Sequence, residues 1–370
     1  MQPTVRVVEA GLGAAAQVRL VVSGIDAPEP LRAAWASSGA AVELRDGRLT
    51  AVSTVAALAR AAGRALDRDR ADALRGGAER AVAAWTSPTP PLDLPGGRGL
   101  DLAEHPAVMG VLNVTPDSFA DGGQVYPSDH PRPAIAKGRA QAAAGADIID
   151  VGGESTRPGS SPVGLEEELH RVLPVVEALA GEGCVVSIDT TKAEVARRAI
   201  AAGASIVNDV GGGQPELLDA VADLGAAYVL MHIRGTPADM QQHTDYSDVI
   251  ADVYEYLAEG LDRCVAAGIP SERVVLDPGI GFAKTAEQSA ALVGAVPQLR
   301  SLGRPVLIGA SRKSFLGTLL EGQPVGDRLE SSLAVAALAA ADGAGVVRAH
   351  DVAETVRTIR VAAALRRVRP

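Results

Sequence analysis

Nine polar residues close eight short apolar runs in this chain: Asn113, Glu154, Asp189, Asn208, His232, Asp277, Lys313, Arg348 and His350. Their types define a narrow range of chemistry. A carboxylate accepts two hydrogen bonds side by side, so Asp189 and Asp277, with the Asn208 amide, suit a ligand with adjacent N–H donors such as an amino-pyrimidine edge. Buried acids are rarely tolerated without a partner, and an internal Asp–Arg network is the competing account. Asn113 opens the loop Asn113–Phe119 (NVTPDSF) and can offer a carboxamide oxygen to a hard cation such as Mg2+; an ordinary Asx-type turn is the alternative. Lys313, Arg348 and His350 make a cationic corner suited to an anionic leaving group. His350 stands two residues from Arg348, which puts both on one strand face and favours a shared ligand over a satisfied core histidine. The stretch Gly152–Gly159 (GGESTRPG) adds Thr156 and Arg157, a hydroxyl and a guanidinium that can fork to phosphate oxygens or pair with a nearby acid.

The runs that carry these residues are Ala107–Val114, Asp147–Val151, Val185–Asp189, Ser205–Asp209, Ala227–His232, Arg273–Asp277, Pro305–Gly309 and Gly345–His350. Short apolar runs bounded by polar or Gly/Pro residues read as strands buried on both faces, as in a parallel sheet. Between and after them the spacing predicts helices over Arg132–Ala144, Glu166–Ala180, Lys192–Ala202, Glu216–Leu224, Val249–Ala267, Thr285–Leu299, Asp327–Ala341 and Ala353–Arg367. Eight such alternations predict a (β/α)8 TIM barrel, whose chemistry sits at the C-terminal ends of its strands and whose loops after strands seven and eight often bind phosphate. That is where the polar residues fall.

A barrel of this kind needs about 250 residues, and this chain has 370. The N-terminal part predicts a small α/β or α+β domain over residues 1–85. Strands over Thr4–Val8 and Val18–Ile25 lead to a helix over Glu29–Ser38. Asp46-Gly47 signals a two-residue hairpin between Ala41–Arg45 and Arg48–Val52. Two Ala-rich helices follow, Thr54–Leu66 and Arg68–Trp85. No catalytic constellation falls in this part, and its arginines read as a solvated face. Residues 86–97 (TSPTPPLDLPGG) read as a Pro/Gly-rich linker and 98–370 as the catalytic domain, so that residues 1–96 form a separable appendage.

Composition excludes several classes. Residues 1–100 hold 12 arginines, no lysine and 10 acids, a net of +2, while the whole chain carries −10. The acidic remainder argues against a nucleic-acid partner. No stretch reaches the ~20 uncharged apolar residues of a membrane span. Two unclustered cysteines, Cys184 and Cys264, suggest neither a disulfide framework nor a zinc site, so a cytoplasmic, soluble protein is expected. Only four lysines occur, Lys137, Lys192, Lys284 and Lys313, which hints weakly at a specific job for each one kept.

From about residue 97 onward the chain resembles the dihydropteroate synthases, a pterin-binding TIM-barrel family. The resemblance rests on ordered motifs: Met109–Gly123 (MGVLNVTPDSFADGG), Asp147–Gly159 (DIIDVGGESTRPG), Ser187–Thr190 (SIDT), Ile206–Asp209 (IVND), Leu230–Met240 (LMHIRGTPADM), Leu276–Phe282 (LDPGIGF), Ser311–Gly317 (SRKSFLG) and Arg348–Val352 (RAHDV). It implies that 6-hydroxymethyl-7,8-dihydropterin diphosphate and p-aminobenzoate join to give 7,8-dihydropteroate and pyrophosphate. By position, Asp189, Asn208, Asp277 and Lys313 would hold the pterin, with Met231 lining the pocket. Asn113 would bind Mg2+ with the pyrophosphate, which Arg348 and His350 would contact. Thr156, Arg157, Phe282 and Ser311 would form the p-aminobenzoate site, completed by the loops holding Phe119 and Pro158. Asp189, Lys313, Arg348 and His350 carry the catalytic expectation, and relatives suggest a homodimer through the barrel's helices. Ala283 stands where relatives commonly have glycine, Ala349 replaces a more usual valine, and Ala120 follows Phe119 where serine is frequent. A methyltetrahydrofolate-binding methyltransferase module would need no pyrophosphate corner, and a non-catalytic paralogue would usually lose a charged site residue; none is missing here.

Overall fold

Asp46 and Gly47 both have positive φ, 50° and 73°, which closes the two-residue hairpin that the dipeptide calls for. The computed structural model describes residues 4–10, 17–25, 28–115, 131–155 and 162–368. In chain order the N-terminal elements are β1 (Thr4–Ala10), β2 (Val18–Ser23), α1 (Glu29–Ser37), β3 (Ala41–Arg45), β4 (Arg48–Ser53), α2 (Val55–Ala65) and α3 (Arg68–Thr86). The strands form one antiparallel sheet in the order β1-β2-β4-β3. Thr54 and Asp67 cap α2 and α3, each side chain accepting a backbone N–H three residues on (3.2 and 2.9 Å), as helix N-termini require. Val7, Leu20, Trp35, Leu49 and Leu58 meet in the core, where Trp35 Nε1 donates to the Leu58 carbonyl at 2.9 Å.

The chain divides into two compact units, residues 1–89 with 295–304, and 90–294 with 305–370. The returning segment corrects the sequence reading. Thr285–Leu299 is not one helix but two, which end the helix list below as α9 and α10. Pro297 lacks an amide proton and its ring clashes with the preceding turn, so it can only open a new helix. That second helix packs on β1 and α3, and its Arg300 donates from Nη2 to the Ser87 carbonyl at 2.7 Å.

In the second unit, β5 (Leu92–Leu94) and β6 (Arg98–Leu100) pair antiparallel across a turn in which Gly96 and Gly97 have positive φ. The second half of the stretch read as a linker is therefore ordered. Its proline and glycine content hid the alternation Leu92-Asp93-Leu94, whose two leucines turn to one face. They join Leu102, Met109, Ile148, Val229 and Val346 in a core that plugs the N-terminal end of the barrel.

The barrel strands are β7 (Ala107–Asn113), β8 (Ile148–Gly152), β9 (Val186–Asp189), β10 (Ile206–Asp209), β11 (Ala227–Met231), β12 (Val274–Asp277), β13 (Leu307–Ile308) and β14 (Val346–Ala349). They run parallel in the order β12-β11-β10-β9-β8-β7-β14-β13. A parallel bridge from Leu276 to Val306, with Leu276 N donating to the Pro305 carbonyl at 2.9 Å, joins the two edges. The accompanying helices are α4 (Arg132–Ala143), α5 (Leu165–Gly181), α6 (Ala193–Ala201), α7 (Pro215–Leu224), α8 (Val249–Ala266), α9 (Ala286–Gly294), α10 (Val296–Arg300), the short α11 (Ser314–Leu319), α12 (Leu329–Ala341) and α13 (Val352–Arg367). Register sets the mouth: Asn113 pairs with Gly152, Gly152 with Asp189, and Asp189 with Asn208. Three polar residues thus stand at one level. No helix among the described residues is long and apolar enough to cross a membrane.

These packing relations predict how truncations behave. A chain starting at Pro90 keeps β5, whereas one starting at Gly97 loses Leu92 and Leu94, both essentially unexposed. Burying a leucine is worth about 1.5–3 kcal/mol, so the Gly97 start should melt several degrees below the Pro90 start. Equal melting temperatures by calorimetry would show that the hairpin is dispensable. Both versions lose the partners of α10, whose Val296 and Leu299 are fully buried, and both should be less soluble than the full chain.

Candidate active site

Arg348 leaves the end of β14 and is shared by two carboxylates. Its Nε donates to Asp150 Oδ2 at 2.7 Å and its Nη2 to Asp189 Oδ2 at 2.8 Å. Asp150 Oδ2 also accepts from Asn208 Nδ2 at 3.0 Å. The internal Asp–Arg network therefore exists. The acids do not each stand waiting for a cation, so burial alone does not imply a ligand. Asp189 is nevertheless raised to about 7, by burial first, with the Arg348 charge opposing and Asp150 adding repulsion. Burial lowers the Arg348 guanidinium, but the Asp150 and Asp189 carboxylates more than offset this and hold it above its ordinary value.

Asp277 ends β12, where its Oδ1 accepts the Gly279 amide at 2.7 Å. Burial raises its carboxyl, and the Lys313 ammonium opposes that. Lys313 is half-buried; its Nζ donates to the Ile280 carbonyl at 2.5 Å and lies 4.5 Å from the centre of the Phe282 ring. Desolvation brings it down to about 8 against the pull of Asp277. Two neighbours hold its turn. Arg312, at φ 59°, turns away to fork onto Asp351 (3.0 and 2.5 Å), and its amide donates to Ser332 on α12 at 3.0 Å. Ser311 Oγ accepts the His350 amide at 3.2 Å and lies 3.1 Å from His350 Nδ1.

His350 corrects the sequence reading of the corner. Burial, then the Arg348 charge beside it, push its imidazole down to about 3, so it is neutral at physiological pH. The corner's cations are Lys313 and Arg348. Two other run-closing residues are turned to support. Glu154 is held by Lys192, whose ammonium also reaches the buried Glu168. His232, pushed down to about 2 by burial and then by Lys284, accepts from Lys284 Nζ at 3.0 Å through Nδ1. Met231 packs with Val210, Ile233, Met240 and Ala283, and Phe282 lies against that cluster. Asn113 is half-buried at the end of β7. Thr156, Arg157, Phe119 and Pro158 lie outside the described residues.

Sequence reasoning missed two members of this arrangement. Asp150 lies inside the run Asp147–Val151, and an acid within a doubly buried strand is itself the signal. Lys284 stands out in the sequence only as one of four lysines. Burial brings it down to about 7, and it donates to the Phe282 carbonyl at 2.8 Å as well as to His232. A cavity of about 320 Å3 opens over the ends of β8 to β11, lined by Glu154, Thr190, Thr191, Val210 and Thr236, and reaches the charged cluster at Asp189.

Comparison with known proteins fits this geometry. A family model described as pterin binding enzyme matches residues 109–350. A dihydropteroate synthase of Synechocystis is 46% identical over 279 residues, spanning 74% of this chain and 96% of the relative. The structure of the Xanthomonas albilineans dihydropteroate synthase with 4-aminobenzoic acid is 45% identical with a TM-score of 0.70, covering 76% of this chain and all of that one. That of Burkholderia cenocepacia, complexed with 7,8-dihydropteroate, is 41% identical with a TM-score of 0.67, covering 76% of this chain and 98% of that one. The chain therefore belongs to the pterin-binding enzyme family, and within it to the dihydropteroate synthases, transferases of the folate pathway.

The turn after β12 makes a prediction. Gly279 has φ 67°, and a Cβ there would lie 2.0 Å from the His232 carbonyl oxygen. Gly279→Ala combines left-handed strain of about 1–2 kcal/mol with overpacking of about 1–3 kcal/mol. Denaturant unfolding should show a loss of that combined size. A variant as stable as the parent would mean that the turn can move freely.

Proposed function

We propose that the barrel mouth condenses 6-hydroxymethyl-7,8-dihydropterin diphosphate with p-aminobenzoate by a dissociative displacement. The observation that supports it most is the convergence of Asp189, Asn208, Asp277, Lys313 and Arg348 from five strand ends. Asp189, Asn208 and Asp277 accept from the N–H edge of the pterin, and Met231 packs against the ring. The C–O bond to the diphosphate breaks first, and its electron pair leaves with pyrophosphate. Arg348 and Lys313 stabilise that developing charge, and neutral His350 donates a hydrogen bond to it. The electron-rich pterin delocalises the positive charge on its methylene while anionic Asp189 and Asp277 stabilise it. The aryl amine then forms the new C–N bond and loses a proton to solvent or pyrophosphate. Thr156, Arg157, Phe282 and Ser311 are the residues proposed to hold p-aminobenzoate.

Mg2+ fits this donor set in one way only. No group of three or more His, Cys, Asp or Glu among the described residues could hold a metal, but Mg2+ keeps most of its waters and needs few protein ligands when it arrives on phosphates. The Asn113 carboxamide would be that protein ligand. The ion would neutralise diphosphate charge.

The second unit is proposed as the catalytic domain and the first as a small domain without catalytic residues. We further propose a cytoplasmic homodimer through the outer helices. Leu338 on α12 and Val361 and Leu365 on α13 are more than half exposed, as are Leu320, Val325 and Val368 nearby in sequence, a concentration that marks an interaction surface.

A pyrophosphate-release assay tests the reading. Release and dihydropteroate formation should both depend on p-aminobenzoate; folded protein that makes no dihydropteroate would overturn it. Lys313→Ala should lower turnover roughly a hundredfold while the cooperative thermal transition survives, and unchanged turnover would remove Lys313 from the mechanism.

The pH profile carries a further prediction. Asp189 must be anionic to accept from the pterin, so activity falls as pH drops through about 7. Lys313 must be an ammonium, so activity falls as pH rises through about 8. The profile of kcat/KM for the pterin, which reports the free enzyme, should therefore be a narrow bell between these values. Lys313→Arg should remove the alkaline limb, because a guanidinium does not titrate there. An alkaline limb that persists in this variant would assign it to another group.

A further inference from the structure

We propose that Asp150 is a positioning residue for pterin recognition, whose carboxylate fixes which way round the Asn208 amide and the Arg348 guanidinium face the mouth. The inference rests on the functional reading above. Asp150 itself is 0% exposed, so no ligand touches it. Its influence runs through two hydrogen bonds to a single oxygen, from Asn208 Nδ2 at 3.0 Å and Arg348 Nε at 2.7 Å.

The three residues come from the second, fourth and eighth barrel strands. Alternate strands fill one layer of such a barrel, so their side chains meet across its interior. Asp150 lies two residues before Gly152, the register partner of Asp189, which in turn pairs with Asn208. Along the hydrogen-bond ladder its Cα therefore stands two residues short of the level of Asn208. A carboxylate only accepts. The Asn208 atom bonded to it must be the NH2 group, and the amide orientation that diffraction usually leaves open is settled by chemistry. Nδ2 points inward, and Oδ1 is the end left to accept an N–H from a ligand.

The same oxygen orients Arg348. Nε and Nη2 share one edge of the guanidinium, and both are committed, to Asp150 and Asp189. Nη1 is left for an anion. Among the described residues Asp150 Oδ1 is buried without a partner, and none of them competes for the carboxylate. One hidden acid thus sets an acceptor for the pterin and a donor for its leaving group.

Asp150→Asn tests this. An amide at position 150 can offer its own NH2 to Asn208, which is then free to turn its oxygen inward and present a donor to the mouth. The dissociation constant of 6-hydroxymethyl-7,8-dihydropterin diphosphate should rise about tenfold or more, with the KM for p-aminobenzoate unchanged. Adding Asn208→Asp to this variant restores an obligatory acceptor at the mouth and should recover most of the pterin affinity. Equal loss for both substrates, no loss, or no recovery in the double variant would overturn the proposal. A second measurement needs no variant at position 150. The Asn208 side-chain NH2 resonances, assigned with Asn208→Asp, should exchange slowly in free and pterin-bound protein alike; exchange at the solvent-exposed rate would overturn it equally. Unaltered protein that fails to bind the pterin would count against the functional reading instead.

Discussion

The mouth depends on one buried guanidinium held between two acids. Arg348 reaches Asp150 and Asp189 from a strand end where all three are largely withdrawn from water. Removing one partner of such a set costs about 3–5 kcal/mol, because the others keep their desolvation penalty without its compensation. The arrangement is therefore poor insurance for stability and makes sense as orientation. It keeps two carboxylates and a cation in fixed places where a barrel would otherwise close with apolar side chains. Asp189 pays for this with a raised affinity for its proton, which couples ligand recognition to pH near neutrality.

A second constraint acts on the turn after β12. Three successive carbonyls are each held by a side chain from a different place: Ile280 by Lys313, Gly281 by Gln241 and Phe282 by Lys284. Backbone that is neither helix nor strand needs such partners when it is buried. The result is that Phe282 and the Asp277 carboxylate sit on a rigid support, and Lys313 both builds that support and offers its charge. Ala283 adopts φ 51° within the turn. That conformation suits the glycine expected there from the resemblance, and alanine holds it at a strain of about 1–2 kcal/mol. Full burial of its methyl group with Met231 and Met240 offsets part of this.

The sequence was most legible where one local rule settles the outcome. Asp46-Gly47 demanded a tight hairpin, and doubly buried apolar runs demanded parallel strands. The strand ends collected the polar residues because a barrel leaves them nowhere else to go. Legibility failed where two rules competed or where partners are distant in sequence. Proline and glycine around Leu92–Leu94 outweighed its period-two pattern, and the Ala-rich spacing across Pro297 outweighed the proline. Asp150 went unread because its partners lie 58 and 198 residues away, and Glu154 and His232 looked like ligand groups because Lys192 and Lys284 are invisible to local spacing. His350 counted as a cation for the same reason. Its charge is decided by Arg348 and by burial, neither of which a residue type reveals.

The placement of α10 adds a constraint on how the fold forms. The segment Ala295–Arg304 belongs with residues 1–89, yet the chain reaches it only after β12 and before β13. In chain order the segment that packs on β1 and α3 is therefore reached only after six barrel strands. Contacts spanning more than 200 residues, such as Arg300 to Ser87, carry a larger loop-closure cost than local ones. The same segment lies between the turn that carries Phe282 and the turn that carries Lys313, both of which shape the site. The first unit is thus discontinuous in sequence: the chain of the barrel is interrupted between α9 and β13 by a segment whose packing partners are β1 and α3.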